Sequence, residues 1–262
     1  PPLKELRYFY EAATYPGERL GRLNPFGDWH TAHYRHFLRK RLAYWGLRPH
    51  RLFSERAQWR WDLRTLCSVH DDRWYTDMFR LAGDRLPGDI SPDYLFRLDS
   101  ARRLSELLPQ AKILVMLRHP IDWVWSFARM SFLGSARGLH DQETSLREFV
   151  EECARVNRYF PALRRIEESG GRERMHVDFY DHIAGDPLGL LSRICEFLDV
   201  APQPVLKPEL TSRQINVGKR YEVPEYLEEV VREAFTEDLR RVDQEFGTVP
   251  TWWWERMPRS AN

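Results

Sequence analysis

Residues 111–117, AKILVML, make a nearly unbroken apolar run of strand length, and the run stops at Arg118, His119 and Pro120. Its purely apolar stretch, 113–117, is far too short to cross a membrane, so protein has to cover it. A strand that is apolar at odd and even positions alike is expected to be buried on both faces, which calls for helices on either side of a sheet. The next residues supply one helix. Residues 121–132 carry a helical pattern, with Pro120 at or near the first turn, where its missing N–H costs nothing.

The rest of the chain alternates in the same way. Residues 3–9 read as a short strand-like piece ending in aromatics, 29–45 as a helix stopped by Gly46, and 51–85 as helices joined by turns. A turn-rich segment at 86–94 leads to a short amphipathic helix at 100–108. After the 121–132 helix the pattern predicts a second long helix at 145–169, a strand at 175–180, a helix at 187–198 and a last helix at 224–246 closed by Gly247. No repeat or low-complexity linker interrupts the series. Strands alternating with helices predict an α/β fold, a central mostly parallel sheet flanked by helices, as a single domain over residues 1–262.

Charge argues against a broad nucleic-acid surface. The 262 residues hold 40 Lys and Arg against 39 Asp and Glu, a net charge of +1, so any anion site is local. Only five of the cations are lysines, and arginine suits fixed, two-pronged phosphate contacts. Cys67, Cys153 and Cys195 are too few for a disulfide scaffold and too far apart for a zinc pattern. No secretory or transit pattern is visible in the first residues, and a cytoplasmic location is the expectation.

Chemistry concentrates where the 111–117 strand ends. Ligands of open α/β sheets bind beyond the carboxyl ends of the strands. Arg118 sits at such an end, with a guanidinium able to take two oxygens of one phosphate. Ser126, eight residues on, puts a hydroxyl in the early helix, and the helix N-terminus favours an anion. Two readings stay open from the residues alone: a phosphate site, or a structural ion pair for Arg118 with Ser126 merely packed.

The segment KILVMLRHPIDWVWSF (112–127) resembles the 3′-phosphate-binding segment of sulfotransferases that use PAPS, 3′-phosphoadenosine 5′-phosphosulfate. Other pieces follow in that family's order. PPLKELRYF (1–9) resembles the segment that carries the catalytic glutamate in bacterial and heparan-sulfate-type enzymes, and GDISPDY (88–94) their Gly-Glu-x-Ser/Thr-Pro-x-Tyr segment. RERMHVDFYDHIAGDPLGLLSRICEFLDV (172–200) resembles the strand, acidic loop, Asp-Pro and following helix. SRQINVGKRYEVP (212–224) resembles the loop that closes over the nucleotide.

The resemblance implies a sulfotransferase fold of the P-loop-nucleotide-hydrolase-like kind and transfer of a sulfuryl group from PAPS, leaving PAP, to a hydroxyl or amine. Arg118 and Ser126 would hold the 3′-phosphate, and Lys219 and Arg220, after Gly218, read either as a cationic clamp on that phosphate or as a solvated turn. Glu5, flanked by Lys4, would act as general base. The chemistry asks mainly for positioning and charge neutralisation, so no metal is expected. The acceptor is expected to be a small molecule or carrier-bound group bearing a hydroxyl, with no nucleic acid and no membrane span.

Three departures accompany the match. The family's Lys-Gly-Thr/Ser donor loop would precede residue 3 and is expected upstream of residue 1. Ile90 stands where heparan-type enzymes carry a lysine, and Asp89 replaces the usual glutamate. Two other readings remain: a P-loop kinase-like phosphoryl transferase, for which no GxxxxGK is visible, and a non-catalytic domain that binds a nucleotide or partner.

His30, His33 and His36 share helix faces but lack acidic or cysteine partners, so they read as a polar face or as part of an acceptor pocket rather than as metal ligands. His119 reads as a turn residue. Most of the ten tryptophans read as packing residues, with one aromatic left open for the adenine.

Overall fold

A computed structural model of the chain describes residues 71–132, 143–202 and 222–257 except Thr248, together with Tyr8, Phe9 and a few positions between 39 and 64. They fall into two units, Pro1–Leu108 and Pro109–Asn262.

In the first unit, α1 (Asp72–Phe79) begins where the Asp71 carboxylate accepts the Trp74 N–H at 2.7 Å, a side-chain cap for a free helical donor. It buries Trp74, Tyr75 and Met78. Gly83, at φ 60, ends the following turn in a backbone region where a β-carbon is unfavourable. The chain then runs through residues 86–91 into a 3₁₀ turn, Pro92–Phe96, and α2 (Ser100–Leu107). Tyr8 and Phe9 lie in a turn and belong to the same aromatic core: Tyr8 stacks on Tyr75 at 4.4 Å, and Ser100 Oγ donates to the Phe9 carbonyl at 2.8 Å. The other residues of the strand-like 3–9 piece lie outside the described residues, as does nearly all of 29–45.

The second unit is helix-rich α/β. Strand β1 (Ile113–Leu117) runs into α3 (Pro120–Phe132), then α4 (Glu143–Val156) and α5 (Tyr159–Gly170), before β2 (Met175–Phe179) returns parallel to β1. The register pairs Ile113 with Met175 and Leu117 with Phe179. A short α6 (His182–Gly185), α7 (Pro187–Leu198), the long α8 (Glu225–Glu245) and α9 (Trp253–Arg256) complete it. Among the described residues the sheet has two strands.

Helix α8 is the spine. Leu227, Val231, Phe235, Leu239 and Val242 recur at helical spacing, are fully buried, and pack against α3, α4 and α5. Gly247, at φ 86, follows it as the sequence predicts. Helix α7 starts at the Asp-Pro pair: Asp186 accepts the Gly189 N–H at 3.0 Å and Pro187 takes the first helical position.

Two expectations change. The single helix predicted at 145–169 is two helices, α4 and α5, broken at Asn157 and Arg158. Pro161 is tolerated only in a first turn, and the first-turn N–H groups of Tyr159 and Phe160, which have no acceptor within their own helix, find one in Asp238 of α8. Burial of β1 is also uneven. Val115 and Leu117 are buried whereas Leu114 is exposed, so a continuous apolar run overstated the cover on one face.

Candidate functional site at the carboxyl ends of the strands

Because β1 and β2 are parallel and in register, Arg118 and Tyr180 leave the sheet at the same end. The Tyr180 N–H donates to the Leu117 carbonyl at 2.7 Å and extends the pairing by one step. The Arg118 guanidinium then lies over the half-exposed Tyr180 ring, 5.4 Å from its centre. No carboxylate among the described residues pairs with Arg118. Its carbonyl accepts the Tyr159 hydroxyl at 2.6 Å. Ser126 is exposed in the second turn of α3, the helix that opens with Pro120 immediately beyond Arg118 and His119.

Below Tyr180, Asp178 organises the end of β2. It is buried, at 3% exposure, yet ionised, because Arg193 of α7 donates to it through Nε at 2.9 Å and Nη2 at 3.3 Å. His182 Nδ1 lies 2.6 Å from its Oδ1, and the Phe179 N–H donates to it at 2.8 Å. Burial alone would raise this carboxyl's pKa, but the Arg193 fork, His182 and the Phe179 N–H outweigh it and hold it well below the usual carboxylate range.

The C-terminal aromatics close this end. Asp181 accepts the indole N–H groups of Trp252 and Trp253 at 3.3 and 3.1 Å. Trp253 is fully buried and meets His119 and Phe179 edge-on. His119 is thus a buried turn residue; burial, then the Arg256 charge, push its pKa down and favour the neutral ring. Arg256 itself pairs with Asp122 at 2.9 Å across the start of α3.

In the first unit the GDISPDY segment has a clear internal logic. Asp89 accepts the hydroxyls of Tyr75 at 3.1 Å, Tyr94 at 2.9 Å and Ser91 at 3.0 Å. Burial, followed by the Asp89 charge, drives both phenol pKa values far upward, so both stay protonated as donors. The carboxylate therefore anchors the loop, while Ile90 beside it is exposed.

Glu5, Lys4, Gly218, Lys219, Arg220, His30, His33 and His36 lie outside the described residues. Among the described residues no three His, Cys, Asp or Glu side chains converge as metal ligands, and no helix is long and apolar enough to cross a membrane. Sequence reasoning missed Tyr159, Tyr180 and the Asp178–His182–Arg193 cluster. The available signal was Asp178, a lone acid inside a strand.

A model of the sulfotransferase family matches residues 48–204, more than half of the chain. The chain belongs to the sulfotransferase family. Its fold is similar to the crystal structure of a sulfotransferase from Alicyclobacillus acidocaldarius, at 24% identity and a TM-score of 0.55, over 73% of this chain and 77% of that one. The sulfotransferase domain from the curacin biosynthetic pathway also aligns, at 16% identity and a TM-score of 0.42, over 72% of each chain. Among curated proteins no match was found. The family supports sulfuryl transfer as the general activity of this sulfotransferase, and the matched span includes β1, Arg118, Ser126, β2 and Asp178.

Proposed function

We propose that this sulfotransferase takes its sulfuryl group from PAPS and delivers it to a hydroxyl or amine on a small or carrier-bound acceptor. The observation that carries the reading is the β1–Arg118–Pro120–α3 connection with Ser126 in the second helical turn. The residues suit a 3′-phosphate. Arg118 rests on an aromatic ring and pairs with no carboxylate among the described residues, and its fork has the shape to take two oxygens of a phosphate.

PAPS supplies an activated sulfuryl group on a good leaving phosphate. In this reading Arg118 and Ser126 fix the nucleotide, and Lys219 and Arg220, after Gly218, close over it as a cationic clamp. Glu5, with Lys4 beside it, takes the acceptor's proton as general base. Residues 1–262 act as one domain on a central mostly parallel sheet of the P-loop-like kind, and transfer needs no metal.

Calorimetry with PAP tests the reading. Arg118→Ala is expected to weaken PAP binding by about 1.5–3 kcal/mol, the scale of a charge-assisted hydrogen bond. Unchanged affinity would overturn the assignment of this connection to the donor.

A further inference from the structure

Helix α8 is apolar along its buried face except at one place. Asp238 sits among Val231, Phe235, Leu239 and Val242 with 4% exposure. Burial pushes its carboxyl pKa up to about 6, even though it accepts two backbone N–H groups, Tyr159 at 2.8 Å and Phe160 at 3.2 Å. Arg158 and Arg241 are the charged groups that favour its ionised form. An aspartate in such surroundings is costly, and a local cap on α5 would serve the helix as well. Arg158 occupies the cap position of α5 and makes no side-chain cap bond, so the cap comes from 79 residues away.

What this distant cap adds is a fixed position for Tyr159. Contacts on its backbone, ring and hydroxyl hold the residue. Its N–H is bound by Asp238, its ring meets Phe235 edge-on at 5.4 Å, and its hydroxyl donates to the Arg118 carbonyl at 2.6 Å. Tyr159 is 2% exposed, so that bond is largely shielded from solvent. Burial, then the Asp238 charge, drives its pKa far upward and keeps it a donor at every ordinary pH.

The Arg118 carbonyl lies just past the sheet, where β1 no longer fixes the backbone. The Tyr180 N–H holds the peptide before the Arg118 α-carbon and the Tyr159 hydroxyl the peptide after it, so the two bonds together fix the direction in which the side chain leaves the backbone. The geometry points to Tyr159, set in place by Asp238, as a positioning residue for the Arg118 guanidinium. Asp238 locks Tyr159, Tyr159 locks the Arg118 peptide, and Tyr180 supports the fork from below. The arrangement aims the anion-binding group before any ligand arrives, so less ordering remains to be done on binding.

The inference rests on the donor reading of Arg118, and the experiment keeps the two apart. PAP affinity is measured by calorimetry for the wild type, Tyr159→Phe, Asp238→Asn, Arg118→Ala and the Arg118→Ala/Tyr159→Phe double variant, with thermal melts for each. Tyr159→Phe removes one oxygen and is expected to weaken PAP about three- to tenfold, the scale of one hydrogen bond. The KM for the donor rises with it while kcat changes little. Asp238→Asn is expected to weaken PAP in the same direction and serves as the test should Tyr159→Phe fold poorly. In the Arg118→Ala background, Tyr159→Phe is expected to cost nothing further, because it acts through a side chain no longer there. Equal PAP affinity in the wild type and Tyr159→Phe, or an equal loss with and without Arg118, overturns the inference and leaves the donor reading standing. Failure of the wild type to bind PAP overturns both.

Discussion

Arg193 grips Asp178 from the side, with Nε 2.9 Å and Nη2 3.3 Å from the carboxylate, and so ties α7 to the end of β2. The acid is buried while the arginine is 39% exposed. Removing the acid leaves His182 and the Phe179 N–H without their shared acceptor. Asp178→Leu is expected to cost about 2–4 kcal/mol, below the ~5 kcal/mol of a wholly buried pair because water screens the arginine. Its folded pKa is depressed, so the stabilisation is fully present above the unfolded value of about 4 and fades as pH falls below it. Urea melts at pH 7.5 and pH 3 check both statements: the gap between wild type and variant is expected to narrow at pH 3.

Glu5→Gln probes the acceptor half of the reaction. The acid stands in LKELRYF, the segment that resembles the glutamate-bearing piece of related enzymes. Loss of a general base costs about 10²–10⁴-fold in rate, so the full-length variant should lose most of kcat and keep its PAP affinity. Near-normal turnover would move the search for a base to His30, His33 and His36.

The metal expectation is equally direct. If transfer runs as proposed, on positioning and charge neutralisation by side chains, it asks for no Lewis acid, and sulfotransfer is expected to proceed at an unchanged rate in EDTA. Activity lost in EDTA and restored by Mg²⁺ would favour the kinase-like alternative.

Which parts were legible in sequence follows from the range of the forces involved. The run Ile113–Leu117, the stop at Arg118 and the start of α3 at Pro120 are local patterns, and each forms where it was expected. The Asp186–Pro187 start of α7 and the Gly247 stop after α8 are local too. The break between α4 and α5 was not legible, because its acceptor, Asp238, lies on another helix. The same limit hid the site's supports. Tyr180 and Arg118 are 62 positions apart in the numbering and meet only because β1 and β2 pair in parallel register. Trp252 and Trp253 read as packing residues, yet their N–H groups select Asp181, about 70 residues earlier.

Asp238 carries the opposite pH signature from Asp178. Its folded pKa is raised to about 6 from an unfolded value near 4, so between these values the folded protein holds a proton that the unfolded chain has released. The unfolded state therefore binds fewer protons, and stability falls as pH rises through this window. From pH 4.5 to pH 7.5 the loss assigned to this one group is about 2 kcal/mol, at 1.36 kcal/mol for each unit of pKa difference crossed. Asparagine keeps one acceptor for the Tyr159 and Phe160 N–H groups and does not titrate. Relative to the wild type, Asp238→Asn is thus expected to be most destabilised at pH 4.5 and to close the gap toward pH 7.5. Urea melts of the two proteins at pH 4.5, 6 and 7.5 measure the difference directly. A gap that widens with pH would mean that the carboxylate is ionised throughout, with the two N–H groups and Arg158 and Arg241 outweighing its burial.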